Sequence, residues 1–324
     1  MGVKLGLVFS HLMAIGPAVT GNLKNNTMNN KIIITTLAST FVLIVLTSGI
    51  IRHDVSEKEY LKLANEKQFD GVGQVYIDTS SRGSCVLINE RFLLSAAHVF
   101  IESDYRQDTI IYEGQKMVAF NPYNNHLVDV IKVSILVKGQ KLKIKSITLH
   151  PNYLDKDSEG SCDLALIELE SSFKAVKPAI INRNLDEMSF NVVGVGFGVS
   201  GIANKPETVM PLDIKIAGQN IIDSIGGFEY LGKPTLLFCD FDNPTRNDCN
   251  KMGSATPRPL EYICGGGDSG GGLFRIRDNR WELIGICSGS KTDIQQLLKT
   301  GYYGQIMSWT RVAAFEKWIT ENLN

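Results

Sequence analysis

The chain has 324 residues, 44% of them hydrophobic and 21% charged, with 33 Lys+Arg against 34 Asp+Glu and a formal net charge of −1. This composition excludes a disordered, collagen-like or polytopic membrane chain, and the near-neutral balance argues against a nucleic-acid binder, which concentrates a basic surplus on one face. The length suits one large or two ordinary domains, and six cysteines are an even count but too few for a cystine-stapled miniprotein.

The first 49 residues read as a separate object. They carry Lys4, Lys24 and Lys31 and no acid; the first acidic residue is Asp54. From Ile32 to Ile51 the chain is uncharged and largely apolar until Arg52. A run of about 20 such residues is just long enough to cross a bilayer as a helix. The same run, flanked by Lys31 and ending in Thr47-Ser48-Gly49, also reads as a secretory signal with its cleavage site. Met28 could open a compact version of it. Cleaved signal and retained anchor are the two readings weighed, ahead of a buried core helix. Either places residues 50–324, with 30 basic and 34 acidic residues, outside the cytoplasm, where cysteines can oxidise. The expected location is secreted or periplasmic, or membrane-anchored with the folded domain outside.

Beyond a polar lead-in from Asp54 to Asp70, short β-rich runs alternate with turn residues: 73–77, 85–88, 131–137, 141–147, 163–169 and 283–286. Several alternate apolar and polar residues, as half-buried strands do, and 30 glycines supply turns. Val312, Phe315, Trp318, Ile319 and Leu323 instead recur at helical spacing, predicting an amphipathic closing helix of about three turns. Residues 201–259, rich in Gly, Asn and Asp, are expected to carry surface loops. Periodicity alone leaves sandwich and barrels open.

Three local motifs carry chemistry. In Cys-Gly-Gly-Gly-Asp-Ser-Gly-Gly-Gly (264–272), glycines flank Ser269, which suits a tight turn that presents a hydroxyl beside free backbone N–H groups. In Leu-Leu-Ser-Ala-Ala-His (93–98), His98 ends an apolar run; in Cys-Asp-Leu-Ala-Leu (162–166), Asp163 heads one. Taken singly, these read as a flexible glycine loop, a satisfied core histidine and a capping aspartate. Together they form a set, because a serine is a weak nucleophile until a base takes its proton, and the base needs a partner that fixes its tautomer. Asp129, Asp155 and Asp157, and His11, His53, His126 and His150, lack comparable surroundings.

At Ser-Ala-Ala-His (95–98), Asp-Leu-Ala-Leu (163–166) and Gly-Asp-Ser-Gly-Gly (267–271), the sequence resembles the trypsin/chymotrypsin-like serine protease family. The order His98, Asp163, Ser269 is that of chymotrypsin. His-Pro-Asn-Tyr (150–153), Val-Gly-Phe-Gly (195–198) and the Trp318 helix resemble further landmarks, so the likeness runs from about residue 50 to the C-terminus. It implies an all-β fold of two antiparallel six-stranded β-barrels with a C-terminal helix over residues 50–324. It also implies Ser269 as nucleophile, His98 as general base and then acid, Asp163 as its orienter, and the N–H groups of Gly267 and Ser269 as oxyanion hole. No metal or cofactor is expected, since His and Cys show no ligand-type spacing. Protein or peptide substrates, and protein inhibitors, are the implied partners; nucleic acid is not, and membrane enters only if the N-terminal segment is retained.

The resemblance carries finer expectations. Family members typically insert a new N-terminal amine beside the aspartate preceding the nucleophile, here Asp268. No Arg-Ile-Val-Gly-Gly sequence is present, so cleavage after Gly49 is expected to free the Ile50 amine for that pair; the alternative is a passive linker and a side-chain partner for Asp268. Cys264 and Cys287 are expected to pair, and Cys239 with Cys249, leaving Cys85 and Cys162; six cysteines allow fifteen connectivities. Ile263 stands at the pocket base where a trypsin type has an aspartate. Ser288 and Ser290 fall beside the pocket, with Met307 a looser wall candidate, and the set favours a small or modest apolar substrate side chain. The rival to an exported endopeptidase is a protease-like binding or adaptor module, and an esterase would share the acyl-transfer chemistry.

Overall fold

A computed structural model describes residues 49–323, apart from 113–114, 156–157, 159, 211–213 and 292–300. The expected export segment therefore lies outside the described residues except for Gly49. The described residues divide into two compact units, one of 49–102 with 127–323 and one of 103–126.

The described residues open with β1 (Gly49–Ile51) and α1 (Glu57–Ala64). The helix starts where Ser56 accepts the Lys58 N–H, has Glu57 and Glu59 in its first turn, and buries Tyr60 and Ala64, one turn apart. It interrupts what the sequence presents as a polar lead-in. There follow β2 (Val72–Ile77), β3 (Ser80–Leu87), β4 (Phe92–Ser95), a hairpin of β5 (Ile101–Tyr112) and β6 (Gln115–Leu127), β7 (Val133–Val137), β8 (Gln140–Leu142), β9 (Ile144–Leu149) and β10 (Ala165–Leu169). The second half comprises β11 (Ile180–Ile181), β12 (Asn191–Gly196), β13 (Ser200–Ile202), β14 (Lys205–Met210), β15 (Ile216–Ile221), β16 (Ser224–Tyr230), β17 (Lys233–Asp240), β18 (Tyr262–Ile263), β19 (Gly272–Arg277), β20 (Arg280–Lys291), β21 (Ile306–Arg311) and α2 (Glu316–Glu321).

These strands form a seven-stranded sheet in the order β8-β7-β2-β3-β4-β10-β9 and an eight-stranded sheet in the order β15-β12-β19-β20-β21-β17-β16, with β11 beside β20. A third sheet, β14-β13-β1-β18, gathers the first strand of the chain into the second half. The all-β class with a helical C-terminus holds, while the expected six strands per barrel become seven and eight in hydrogen-bonded order. One reason is that the single strand expected at 141–147 is two. β8 pairs with β7 and β9 with β10, and the change of partner falls at Lys143, whose carbonyl accepts the Glu170 N–H at 3.1 Å. Residues 201–259 are not surface loops alone: β15 and β17 are largely buried there, β17 over the consecutive run 235–240. The β5–β6 hairpin, its Arg106 guanidinium 4.7 Å above the Tyr123 ring, has no counterpart in the sequence reading.

The closing segment is shorter than three α-turns. Val312–Phe315 form a 3-10 turn, with all four residues buried, before α2 begins. Four consecutive buried residues point all the way round such a turn, so the segment is enclosed on every side rather than laid on the core by one face. His150, at the start of its own 3-10 turn, packs edge-on against Tyr230, Phe315 and Trp318, and burial pushes its pKa down to about 4. The expected closing residues thus pack on the seven-stranded sheet's core.

A buried ion pair ties this end of the chain to the connection between the two large sheets. Arg311, at the end of β21, donates from Nε to both Glu187 oxygens at 3.1 Å, and Asn182 donates to Glu187 Oε1 at 3.1 Å. Both charged side chains are essentially without solvent contact, at 3% and 0% exposure. A buried carboxylate stripped of its partner is costly, whereas removing both charges is far less so. Arg311→Met is expected to lower unfolding stability by about 3–5 kcal/mol, and Arg311→Met with Glu187→Leu to recover most of it, as read by urea denaturation.

Candidate active site

Strand pairing brings the first two motif residues together. β4 and β10 run antiparallel with Ser95 opposite Ala165, so the chain leaving β4 and the chain entering β10 meet at one end of the sheet. His98 lies three residues beyond Ser95, in the 3-10 turn Ala97–Phe100, and Asp163 two residues before Ala165. Nδ1 of His98 is 2.7 Å from Asp163 Oδ2, and the His98 backbone N–H donates to Oδ1 at 2.9 Å. Two further hydroxyls hold the aspartate. Ser288 Oγ donates to Oδ2 at 2.7 Å, and Thr310 Oγ1, from β21, donates to the Asp163 carbonyl at 2.8 Å. Ser288 faces Asp163 because β20 bulges there: the register steps from Cys287↔Trp309 to Gly289↔Ser308, leaving Ser288 unpaired and re-aimed.

Ser269 comes from the loop before β19. Its Oγ lies 2.7 Å from His98 Nε2. Ser84 of β3 pins that loop to the other sheet. The Ser84 N–H donates to the Ser269 carbonyl at 2.7 Å, and its hydroxyl donates to the Gly267 carbonyl at 2.8 Å while accepting the Phe197 N–H at 2.9 Å. The approach is close enough to dictate glycine at 270. Its φ is +85°, and a Cβ there would stand 2.1 Å from the Ser84 carbonyl oxygen and 2.2 Å from Ser95 Oγ. Within the loop, the N–H groups of Asp268, Gly270 and Gly271 donate to the carbonyls of Gly265, Cys287 and Asp268. Those of Gly267 and Ser269 have no hydrogen-bond acceptor among the described residues. The two donors expected to face an oxyanion are thus among those left without an acceptor in this loop.

Electrostatics follow from burial. Desolvation would lift the Asp163 carboxyl, but the His98 imidazole and the hydrogen bonds from His98 and Ser288 outweigh it and hold Asp163 below the usual carboxylate range. Desolvation would likewise lower His98, and Asp163 reverses it, so the imidazole sits above its ordinary 6.5. An ionised Asp163 accepts only, so Nδ1 carries the proton and Nε2 faces the Ser269 hydroxyl as acceptor.

The finer expectations fare differently. Ile263 is buried on β18 against Ile50, in the same apolar cluster as Cys264, Cys287 and Met307; Ser290 on β20 stands directly opposite Met307. The structure holds all six cysteines as thiols, so neither expected disulfide is formed. Cys264 and Cys287 are hydrogen-bonded neighbours with pKa values raised by burial. Cys239 is buried on β17, opposite Met307, while the Cys249 thiol donates to the Arg246 carbonyl at 3.5 Å. The Ile50–Asp268 pair is expected only once an amine is freed at Ile50, and here the Gly49–Ile50 peptide bond is intact. Ile50 is the centre of β1, paired with Gly201 on one side and Ile263 on the other. Asp268 instead accepts the Tyr262 hydroxyl at 2.6 Å and the N–H groups of Gly265 and Gly198, each at 2.8 Å. Ser84, Thr310 and Tyr262 were not singled out from the sequence. Tyr262 carried a usable signal, a hydroxyl in an apolar run six residues before a buried aspartate.

The family model described as Trypsin matches residues 63–319. The chain belongs to the trypsin family. Its fold is the mostly-β trypsin fold with a short C-terminal helix, and residues 63–319 are a trypsin-like serine protease domain. Among curated proteins, it is 28% identical over 222 residues to "Complement C1r-A subcomponent" of Mus musculus, covering 66% of this chain and 28% of that protein. It is 26% identical over 246 residues to "Transmembrane protease serine 11B" of Homo sapiens, covering 72% of this chain and 48% of that protein. The chain thus spans less than half the length of either relative. Among the described residues no helix is long and apolar enough to cross a membrane.

The charge balance at His98 is open to measurement. In this trypsin-family domain, NMR titration of the His98 ring should give a midpoint above 6.5. In Asp163→Asn the desolvation left behind should drop it below 6.5, whereas a solvent-exposed imidazole would fall only as far as 6.5.

Proposed function

We propose that this domain is an exported serine endopeptidase that hydrolyses peptide bonds through an acyl-enzyme on Ser269. The observation that carries the reading is the unbroken relay of Ser269 Oγ to His98 Nε2 at 2.7 Å and His98 Nδ1 to Asp163 at 2.7 Å. In this mechanism Nε2 takes the Ser269 proton as Oγ attacks the scissile carbonyl carbon. The oxygen that gains negative charge accepts from the Gly267 and Ser269 N–H groups, a contribution of about 3–4 kcal/mol for a donor of this kind. The imidazolium, stabilised by Asp163, returns its proton to the departing amine, leaving an ester on Ser269. Water, deprotonated by the same Nε2, attacks that ester; the acid leaves and Ser269 recovers its proton. Neither step needs a metal or cofactor.

The substrate side chain is proposed to be small or moderately apolar. Support comes from Ile263 at the expected pocket base and from Ser290 opposite Met307, surroundings that would leave a substrate Lys or Arg buried without a counter-charge. Export rests on the acid-free, Lys-flanked segment ahead of Gly49, and one relative is by name a transmembrane protease. Residues 1–49 are proposed as the export segment and 50–324 as the protease domain.

A fluorophosphonate probe should label the folded protein at Ser269, and Ser269→Ala should abolish labelling. A folded protein that takes no label would mark the domain as a binding or adaptor module. Peptide esters with Ala, Val or Leu at the cleaved position should be turned over more than about tenfold faster than the Arg ester; a preference for Arg would overturn the pocket assignment.

A further inference from the structure

Asp268 sits between the two residues whose N–H groups are unused, so whatever holds its side chain sets the direction of both donors. Its carboxylate is 1% exposed, and the structure places no cation against it among the described residues. Glycines at 196 and 198 make room for it. A Cβ on Gly196 would come within 2.3 Å of Asp268 Oδ1, and one on Gly198 within 2.6 Å of its Cγ. The third wall is the Tyr262 hydroxyl. The Tyr262 ring occupies space that β12 and β15 leave open with glycine. A Cβ on Gly218 would meet Tyr262 Cβ at 2.0 Å, and one on Gly194 would come 3.1 Å from its Cε1. β12, β15 and the segment after β12 are therefore shaped around this one contact.

The chain start engages the same structure in another way. Ile51 is opposite Tyr262 in the β1–β18 register, and the Ile50 side chain is fully buried against Gly301, whose added Cβ would approach it to 2.2 Å. β1 thus contributes pairing and apolar packing to the strand that carries Tyr262, while the Asp268 carboxylate takes its hydrogen bonds, among the described residues, from Tyr262, Gly265 and Gly198.

We infer that Tyr262 is a positioning residue for the Ser269 loop: through Asp268 its hydroxyl holds the Gly267 and Ser269 N–H groups in working geometry while the Gly49–Ile50 peptide bond is intact, so that no cleavage ahead of Ile50 is needed for activity. The inference rests on the reading of Ser269 as nucleophile. It replaces the buried ion pair of an inserted amine with a neutral hydroxyl and two backbone donors, enough to satisfy a carboxylate that has lost its water.

The arrangement has a pH signature. Burial lifts Asp268 to about 6, against the Tyr262 hydroxyl and the Gly265 and Gly198 N–H groups, which pull it down. The other titratable groups around Asp268 and Tyr262 are the Cys264 and Cys287 thiols, which burial keeps protonated at neutral pH. Removing the hydroxyl leaves desolvation less opposed, so the carboxylate takes its proton at higher pH and ceases to accept from the loop.

The test uses the full chain, in detergent if the leading segment is retained, with a fluorophosphonate and an apolar peptide ester as probes. Mass mapping of the labelled wild-type species should find the Gly49–Ile50 bond intact. Tyr262→Phe should lower kcat by about ten- to a hundredfold with KM within about threefold, and move the acid limb of kcat to higher pH. A merely structural ring would leave that limb in place. Labelling confined to chains that begin at Ile50 would overturn the inference, and this mapping does not depend on how well the variant folds. A Tyr262→Phe enzyme with the wild-type kcat and pH profile would overturn it as well. A folded wild-type chain that takes no label at all would remove the reading of Ser269, and this inference with it; labelling only after trimming removes the inference alone.

Discussion

A carboxylate taken out of water must find hydrogen bonds or lose its charge, and this chain buries one on each side of Ser269. Asp163 finds a histidine, a serine hydroxyl and a backbone N–H; Asp268 finds a tyrosine hydroxyl and two backbone N–H groups. Each set draws on elements far apart in sequence. Satisfying two acids thereby forces the ends of β4, β10, β18 and β20 to converge on one loop. The geometry around Ser269 follows from that requirement more directly than from any hydrophobic contact.

Larger-scale order rests on the same principle with opposite charges. Arg275 is fully buried and answers Glu282, Asp186 and Asn182, while Arg311 answers Glu187. Asn182 touches both networks, and all of these residues lie on the second sheet or on the segment that leads into it. Apolar burial supplies the bulk of the driving force in the two core clusters, but it is tolerant of small slips in position. Paired buried charges are not, and they fix how the connection between the large sheets is seated.

Legibility in the sequence tracked how local each interaction is. The strands with clean alternation, such as 73–77 and 163–169, appear within a residue or two of their expected bounds, and the residues expected to close the core do so. His98, Asp163 and Ser269 each carry a short signature of their own, and the structure brings all three within hydrogen-bonding range. What failed depended on distant partners. The division of 141–147 into two strands is decided by β7 and β10, not by the residues themselves. β17 hides in a Gly- and Asn-rich stretch because its burial comes from β16 and β21 on either side. Tyr262 went unnoticed for a related reason: the sequence draws attention to the aspartate beside the nucleophile, and a hydroxyl six residues upstream becomes its partner only after β18 is laid against β1. The thiols of Cys264 and Cys287 are neighbours as expected, though unbonded, since proximity in a fold can be read from motif position and oxidation state cannot.

The place of β1 has a bearing on how the molecule assembles. The first described strand joins a sheet whose other members are separated from it by most of the chain, while helix α1 right behind it packs its Tyr60 hydroxyl onto the Glu261 carbonyl. Such contacts close very long loops, and the entropy of doing so must be met before any of their enthalpy returns. During synthesis β1 waits for β13 and β18, with an apolar Ile-Ile pair uncovered meanwhile. A chain that ends before β18 has β1 without the strand it needs on one side.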